Sequence, residues 1–295
     1  MKLELSARPP FYLPAVVKSH GWVQLAPFDW DDEAGRLTCV ERMDSGRVVE
    51  MRILATDGGV SVTVDGSLDE AERDEVARKV EWMLGLGQDF SAFYELAREE
   101  PKLARVEGQA RGRILRSSTL FEDTVKTILT TNTSWGGTIR MVGALVSQFG
   151  APLDSDPARR AFPSPGQLAA TDEETLRTET RLGYRSPYVL GLARSVASGA
   201  LDLESLKTAA IPTAELCKRL LAIKGVGEYA MANLLMLLGR YDFIPVDSWA
   251  RTVVSHEWHG GESVGRAEVE AAFERWGEWQ GLAYWFWDWS YLSEA

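Results

Sequence analysis

The chain has 295 residues, 45% of them hydrophobic and 11 of them Trp, enough for one large core or two modest ones. Its formal charge of −11 argues against a generic nucleic-acid binder, because Lys and Arg neutralising phosphates supply most non-specific affinity. Two cysteines, Cys39 and Cys217, exclude a disulfide framework and a four-thiolate cluster and read as buried thiols of a cytoplasmic protein. Residues 1–17 are polar and proline-broken, unlike a signal peptide, and no run of about 18 apolar residues exists, so no membrane partner is expected.

Residues 1–66 read as a β-rich domain. The runs 36–43 and 47–54 flank Asp44-Ser45-Gly46, and 60–64 alternates Val with Ser and Thr after Gly58-Gly59, which predicts an antiparallel meander. From 67 to 295 the chain reads as helical. Ser67 with Glu70 opens a helix to about residue 84, and 90–98 forms another before Pro101. Thr119 with Glu122 opens a helix to 131, and 134–149 forms the next, ended by Gly150. A proline-rich connection spans 151–165. Residues 171–174 cap a short helix, and Ser186-Pro187 starts one over 188–198. The end, 267–292, predicts one helix rich in aromatics, among them Tyr284, Trp285 and Trp289. Charge is uneven: 101–150 holds seven basic and three acidic residues, which predicts a positive face on an acidic protein. His256 and His259 lie at i, i+3 with no Glu at zinc-site spacing, so no metal site is expected.

The most informative stretch is 220–251. A helix ends in the turn Ile223-Lys224-Gly225-Val226-Gly227, and a second helix begins at once. Glycines uncover the backbone there, and the N–H groups and dipole of the second helix favour an anion such as a phosphate. Eighteen residues beyond Tyr229 stands Asp247, just after Pro245 and at the start of a further helix. By itself this position makes Asp247 an N-cap; a carboxylate there can also stabilise positive charge on a sugar.

The hairpin, the spaced aspartate, the segment 120–150 and the run Leu182-Gly183-Tyr184-Arg185 together resemble the helix-hairpin-helix (HhH-GPD) DNA glycosylases, of the 3-methyladenine glycosylase II and 8-oxoguanine glycosylase kind. The resemblance covers about 115–292, with the helix-hairpin-helix at 213–238 and the aspartate loop at 244–249. It implies an α+β protein, with an antiparallel β-rich N-terminal domain before an all-helical glycosylase domain. The expected activity is hydrolysis of the N-glycosidic bond of a flipped damaged purine in duplex DNA, in base excision repair. Asp247 is then catalytic, and Lys224, Gly225 and Gly227 grip the strand. Asn132, Tyr184 and Arg185 match the family residues that fill the gap left by the extruded base and contact its partner; helix C-cap (Asn132) and surface arginine (Arg185) are the plainer readings. Family members that also nick the strand carry a lysine where this chain has Tyr229. That implies no lyase step and leaves Tyr229 either a wall of the base pocket or a core aromatic. Tyr284 and Asp288 occupy the positions of base-contacting side chains but match neither the oxidised-guanine nor the alkylpurine pattern; most aromatics around them read as core.

Alkylated purines are the expected substrates, oxidised purines the runner-up, and a non-catalytic damage-binding protein the rival of another class. The resemblance also implies a monovalent cation on the hairpin carbonyls when DNA is bound, no other cofactor, a monomer, and a cytoplasmic, nucleoid-associated location. With two cysteines the chain lacks what the iron–sulfur branch of the family needs.

Overall fold

The computed structural model describes residues 1–288. Five strands, β1 (Lys2–Ser6), β2 (Phe28–Asp31), β3 (Arg36–Arg42), β4 (Val48–Thr56) and β5 (Gly59–Val64), form one antiparallel sheet in the order β1-β5-β4-β3-β2. The register sets Leu3, Val62, Ile53, Leu37 and Trp30 side by side across all five strands. Of these, Val62, Ile53 and Leu37 are fully buried, so the alternation read from the sequence does place one row in a core.

The helices follow in chain order: α1 (Leu13–Val17), α2 (Glu70–Leu84), α3 (Ser91–Ala97), α4 (Leu120–Thr130), α5 (Trp135–Phe149), α6 (Pro165–Ala169), α7 (Glu173–Thr180), α8 (Ser186–Ala197), α9 (Thr213–Leu221), α10 (Glu228–Leu237), α11 (Ser248–Trp258), α12 (Arg266–Phe273) and α13 (Gln280–Phe286). A small hairpin, β6 (Pro152–Leu153) with β7 (Asp156–Arg160), interrupts the expected connection after α5. Among the described residues no helix is long and apolar enough to cross a membrane.

Two compact units result. The first comprises Met1–Gln88, Arg113–Ala209 and Ile223–Gly225, and so joins the sheet to α2 and α4–α8. The second comprises Asp89–Gly112, Ala210–Ala222 and the chain from Val226 onward.

In the first unit α4 is buried on nearly every side, including its charged residues. Lys126 and Glu122, at i and i+4, pair at 2.6 Å with almost no exposure. Asp123 accepts from Trp22 Nε1 at 2.7 Å and from the Ser117 N–H at 2.9 Å. Arg113 is equally internal, donating to the carbonyls of Gly85, Pro10, Arg8 and Gln88. Arg116 lies over the Trp82 ring, 4.5 Å from its centroid. The positive charge expected on a surface at 101–150 is therefore partly internal: Arg113, Arg116 and Lys126 are spent on backbone carbonyls, a ring and a buried carboxylate.

Caps and helix ends differ from expectation in three places. Asp69, not Ser67, caps α2, accepting from the Glu72 N–H at 2.8 Å. Asp172 caps α7 in the same way. The aromatic C-terminal stretch is not one helix: a 3-10 segment, Glu274–Trp279, separates α12 from α13, and Gly277 takes φ 52 inside it. Such a φ breaks the i→i−4 ladder and favours glycine. Trp289 and the end of that expected helix lie outside the described residues. The thiols also differ: Cys39 is buried, whereas Cys217 is only half-buried.

Candidate active site

In the second unit α10 begins with Gly227 as its N-cap, a residue with no side chain to cover the first N–H groups. Glu228 follows in the first turn, where its charge would oppose a phosphate, but it is paired with Arg266. Lys224 is exposed and has no carboxylate partner among the described residues. The turn residues Ile223–Gly225 belong to the first unit, where Gly225 is pressed against Tyr188: a Cβ at position 225 would stand 2.8 Å from Tyr188 Cβ. Its φ of 93 also requires glycine.

Asp247 is the N-cap of α11, and its Oδ1 accepts from the Ala250 N–H at 2.7 Å. The capping role is thus real, and it fixes the carboxylate in place. Asp247 also lines a cavity of about 270 Å³ with Tyr229, Asn233, Pro245, Trp249, Tyr284 and Trp285. Two residues expected by resemblance, Tyr229 and Tyr284, meet the aspartate there. Tyr229 is 43% exposed, whereas Tyr284 is buried. Burial, then the negative charge of Asp247, pushes the Tyr284 phenol far above its usual range, so it remains a protonated phenol. Among the described residues no Lys or Arg lines this cavity.

The sequence reading missed Asn233, Trp249 and Trp285 as cavity residues. Asn233 is four residues after Tyr229 and therefore on its face of α10, and its Nδ2 donates to the Tyr229 carbonyl at 2.8 Å. Helical spacing could have found it. Trp249, two residues after Asp247, and Trp285, on α13, owe their place to tertiary packing. Asp288 does not line the Asp247 cavity. It lines a separate one of about 520 Å³ with Lys102, Arg105, Arg111 and Trp287, into which Trp249 also reaches, and its N–H donates to the Lys102 carbonyl at 3.1 Å.

In the first unit Asn132, Tyr184 and Arg185 converge. Asn132 follows the end of α4 with φ 48, the left-handed position that closes a helix, and its Nδ2 donates to the Tyr184 hydroxyl at 3.3 Å. Tyr184 is 48% exposed. Arg185 is only 6% exposed and is no surface arginine. Its guanidinium stacks 4.4 Å from the Tyr184 ring centroid and donates to the carbonyls of Thr131 and Asn132.

The HhH-GPD superfamily base excision DNA repair protein model matches residues 125–278, just over half of the chain. A Bacillus subtilis DNA-3-methyladenine glycosylase is 25% identical over 183 residues, which cover 61% of this chain and 60% of that protein's length. Two solved structures share the fold. A 3-methyladenine DNA glycosylase from Archaeoglobus fulgidus superimposes with a TM-score of 0.75 at 22% identity, covering 97% of both chains. A Clostridium acetobutylicum 8-oxoguanine glycosylase/lyase, in complex with double-stranded DNA containing cytosine opposite 8-oxoG, gives 0.74 at 19% identity, covering 100% of this chain and 98% of that one. With the hairpin and the capped aspartate lying inside the matched span, the chain belongs to the HhH-GPD superfamily of base excision DNA repair proteins.

Proposed function

We propose that this protein is a DNA glycosylase that flips a damaged purine out of duplex DNA and hydrolyses its N-glycosidic bond. The observation that carries the reading is the Asp247 cavity, in which one carboxylate stands among Tyr229, Trp249, Tyr284 and Trp285. A base leaving a sugar builds positive charge on that sugar. A fixed carboxylate stabilises the charge and orients the attacking water. The N-cap bond to Ala250 holds Asp247 still, which lowers the reorganisation needed during reaction.

The cavity walls support an alkylated purine as substrate. Alkylation at a ring nitrogen leaves the base cationic and already a good leaving group. Electron-rich aromatic faces and a carboxylate attract a planar cation, and among the described residues no lining cation repels it. The Bacillus and Archaeoglobus relatives are named for a base of this class.

The cavity also supports a hydrolytic, monofunctional reaction. A lyase step needs an amine that attacks the sugar and forms a Schiff base. Tyr229 offers a phenol at this position, and no lysine among the described residues lines the cavity. An oxidised purine is the second reading. It is favoured by the Asn233 amide, a neutral hydrogen-bonding group on the cavity wall, and by the likeness to the Clostridium structure.

A panel of duplexes carrying alkylated, oxidised or deaminated bases, scored for base release before and after alkali, tests the reading. Abasic product from alkylated duplexes, cut only after alkali, is the expected result. Release from oxidised duplexes alone would select the second reading, and tight binding with no release from any lesion would leave a damage-binding protein.

A further inference from the structure

The first unit contains a second polar cavity, of about 460 Å³, between α5 and α7. Arg140 from α5, Arg181 at the end of α7 and Arg185 before α8 all line it, with Glu179 the one carboxylate among the described residues, so that lining carries a net charge of about +2. Thr133 and Gly137 complete the α5 side. A Cβ at Gly137 would fall 2.3 Å from the Thr133 hydroxyl, so glycine here leaves room for that hydroxyl on the wall.

Three features set this cavity apart from a chance gathering of surface charge. First, Arg140 and Arg181 are exposed and have no carboxylate partner among the described residues, in a chain with 43 acidic and 32 basic side chains. Carboxylates are plentiful, yet these two guanidiniums face the cavity instead. Second, Arg181 holds φ 56 at the C-cap of α7. Glycine would adopt that conformation without strain, but it would remove a guanidinium from the cavity, and strain kept at such a position points to use. Third, Arg185 lines the cavity although it is only 6% exposed, and its buried Nε–H has no acceptor among the described residues, while its Nη2 is bonded twice. A buried donor without an acceptor is uncommon, and it marks this guanidinium as held in place by packing and by its two carbonyl bonds.

Planar guanidiniums matched to an oxygen-rich anion are the usual partners of a phosphodiester. We infer that this cavity binds a backbone phosphate of a nucleic acid strand, with Arg140 and Arg181 as the charged contacts and Arg185 as the fixed wall beneath them. The inference deepens the proposed function and rests on its DNA-binding part. It gives an acidic protein a local cationic grip that its overall charge conceals.

Affinity for a lesion-bearing duplex, measured by fluorescence anisotropy between roughly 50 and 200 mM salt, tests it. The R140Q/R181Q double variant is compared with the native protein and with R177Q, an exposed arginine on α7 paired with Glu173. The expected result is weaker binding by about tenfold or more, and a slope of log affinity against log salt shallower by about 0.9, the counterions released per phosphate neutralised. R177Q should keep the native slope. Circular dichroism melting identifies a variant that has lost its fold, and the single variants R140Q and R181Q, each expected to remove about half the slope change, then carry the test. A native slope in the folded double variant overturns the inference while leaving the glycosylase reading intact. Inorganic phosphate binding to the native protein, with the duplex slope unaffected by R140Q/R181Q, overturns it in favour of a free-anion site. Failure of the native protein to bind any duplex would overturn both readings.

Discussion

Gly225 and Tyr188 are in contact at a distance that leaves no room for a side chain on residue 225. The Tyr188 and Tyr184 rings pack edge to face with centroids 6.3 Å apart, and the Tyr184 hydroxyl accepts from Asn132. A continuous run of contacts within the first unit thus connects the hairpin turn to Asn132.

The contact makes Gly225→Ala a sharp test of the hairpin. The new methyl meets Tyr188 Cβ and Cγ below 3 Å, and a φ of 93 is unfavourable for any L side chain. A loss of about 2 kcal/mol or more in chemical denaturation is expected, with weakened duplex binding. Gly227→Ala is the internal control: its φ is −95, nothing lies within 4 Å of a Cβ there, and its cost should stay below about 1 kcal/mol. Equal losses in the two variants would show that the Tyr188 contact is unimportant.

A second prediction concerns acid stability. Burial lowers the His20 pKa to about 4, against its hydrogen bond to the Leu115 carbonyl at 2.6 Å, and the positive charge of Lys126 adds to the lowering. The unfolded chain therefore takes up a proton near pH 6.5 that the folded chain refuses until about pH 4. Stability from this group is present above the higher value and is lost as the pH falls through that window. His20→Gln keeps a donor for the carbonyl and removes the titration. Its stability relative to the native protein should rise by on the order of 2 kcal/mol between neutral pH and pH ~4. A pH-independent difference in denaturation midpoints would contradict the half-buried, neutral imidazole.

Much of this architecture was legible because its causes are local. Strands β3–β5 follow from alternation between glycine turns, and the hairpin follows from two glycines between helices. Asp247 is recognisable as a cap because the capping oxygen bonds three residues ahead. Strands β1 and β2 were not legible: Lys2–Ser6 and Phe28–Asp31 are edge strands whose charges interrupt any long apolar pattern. Arg113 could not be foreseen as internal, since its four carbonyl partners come from residues 8–10 and 85–88. Trp249 and Trp285 were equally hidden, because only packing of α11 and α13 brings them to Asp247.

The identity of residue 229 yields a third prediction. Borohydride should trap no protein–DNA adduct with the native protein during base release. Tyr229→Lys places an amine in the Asp247 cavity and should yield a trapped adduct and strand cleavage without alkali. An adduct formed by the native protein would mean that another amine, such as Lys224, reaches the sugar.

Trp249 provides a fourth. It is 48% exposed and lines both the Asp247 cavity and the cavity that Asp288 lines. Trp249→Ala removes an aromatic wall, and stacking of a base on such a ring is worth about 1–3 kcal/mol. Binding of an alkylated duplex should weaken by a corresponding 5- to 150-fold or so, whereas binding of an undamaged duplex, which presents no flipped base, should change little. Equal losses for both duplexes would assign Trp249 to general DNA contact.

The central claim is that the Asp247 carboxylate acts on the sugar. Asn caps a helix as well as Asp does, so Asp247→Asn retains the bond to Ala250 while removing the charge. Single-turnover release of an alkylated purine from duplex DNA is the decisive measurement. The account predicts a variant with the native melting temperature whose release rate falls by about 10²-fold or more. Release at the native rate by a folded Asp247→Asn protein would contradict it.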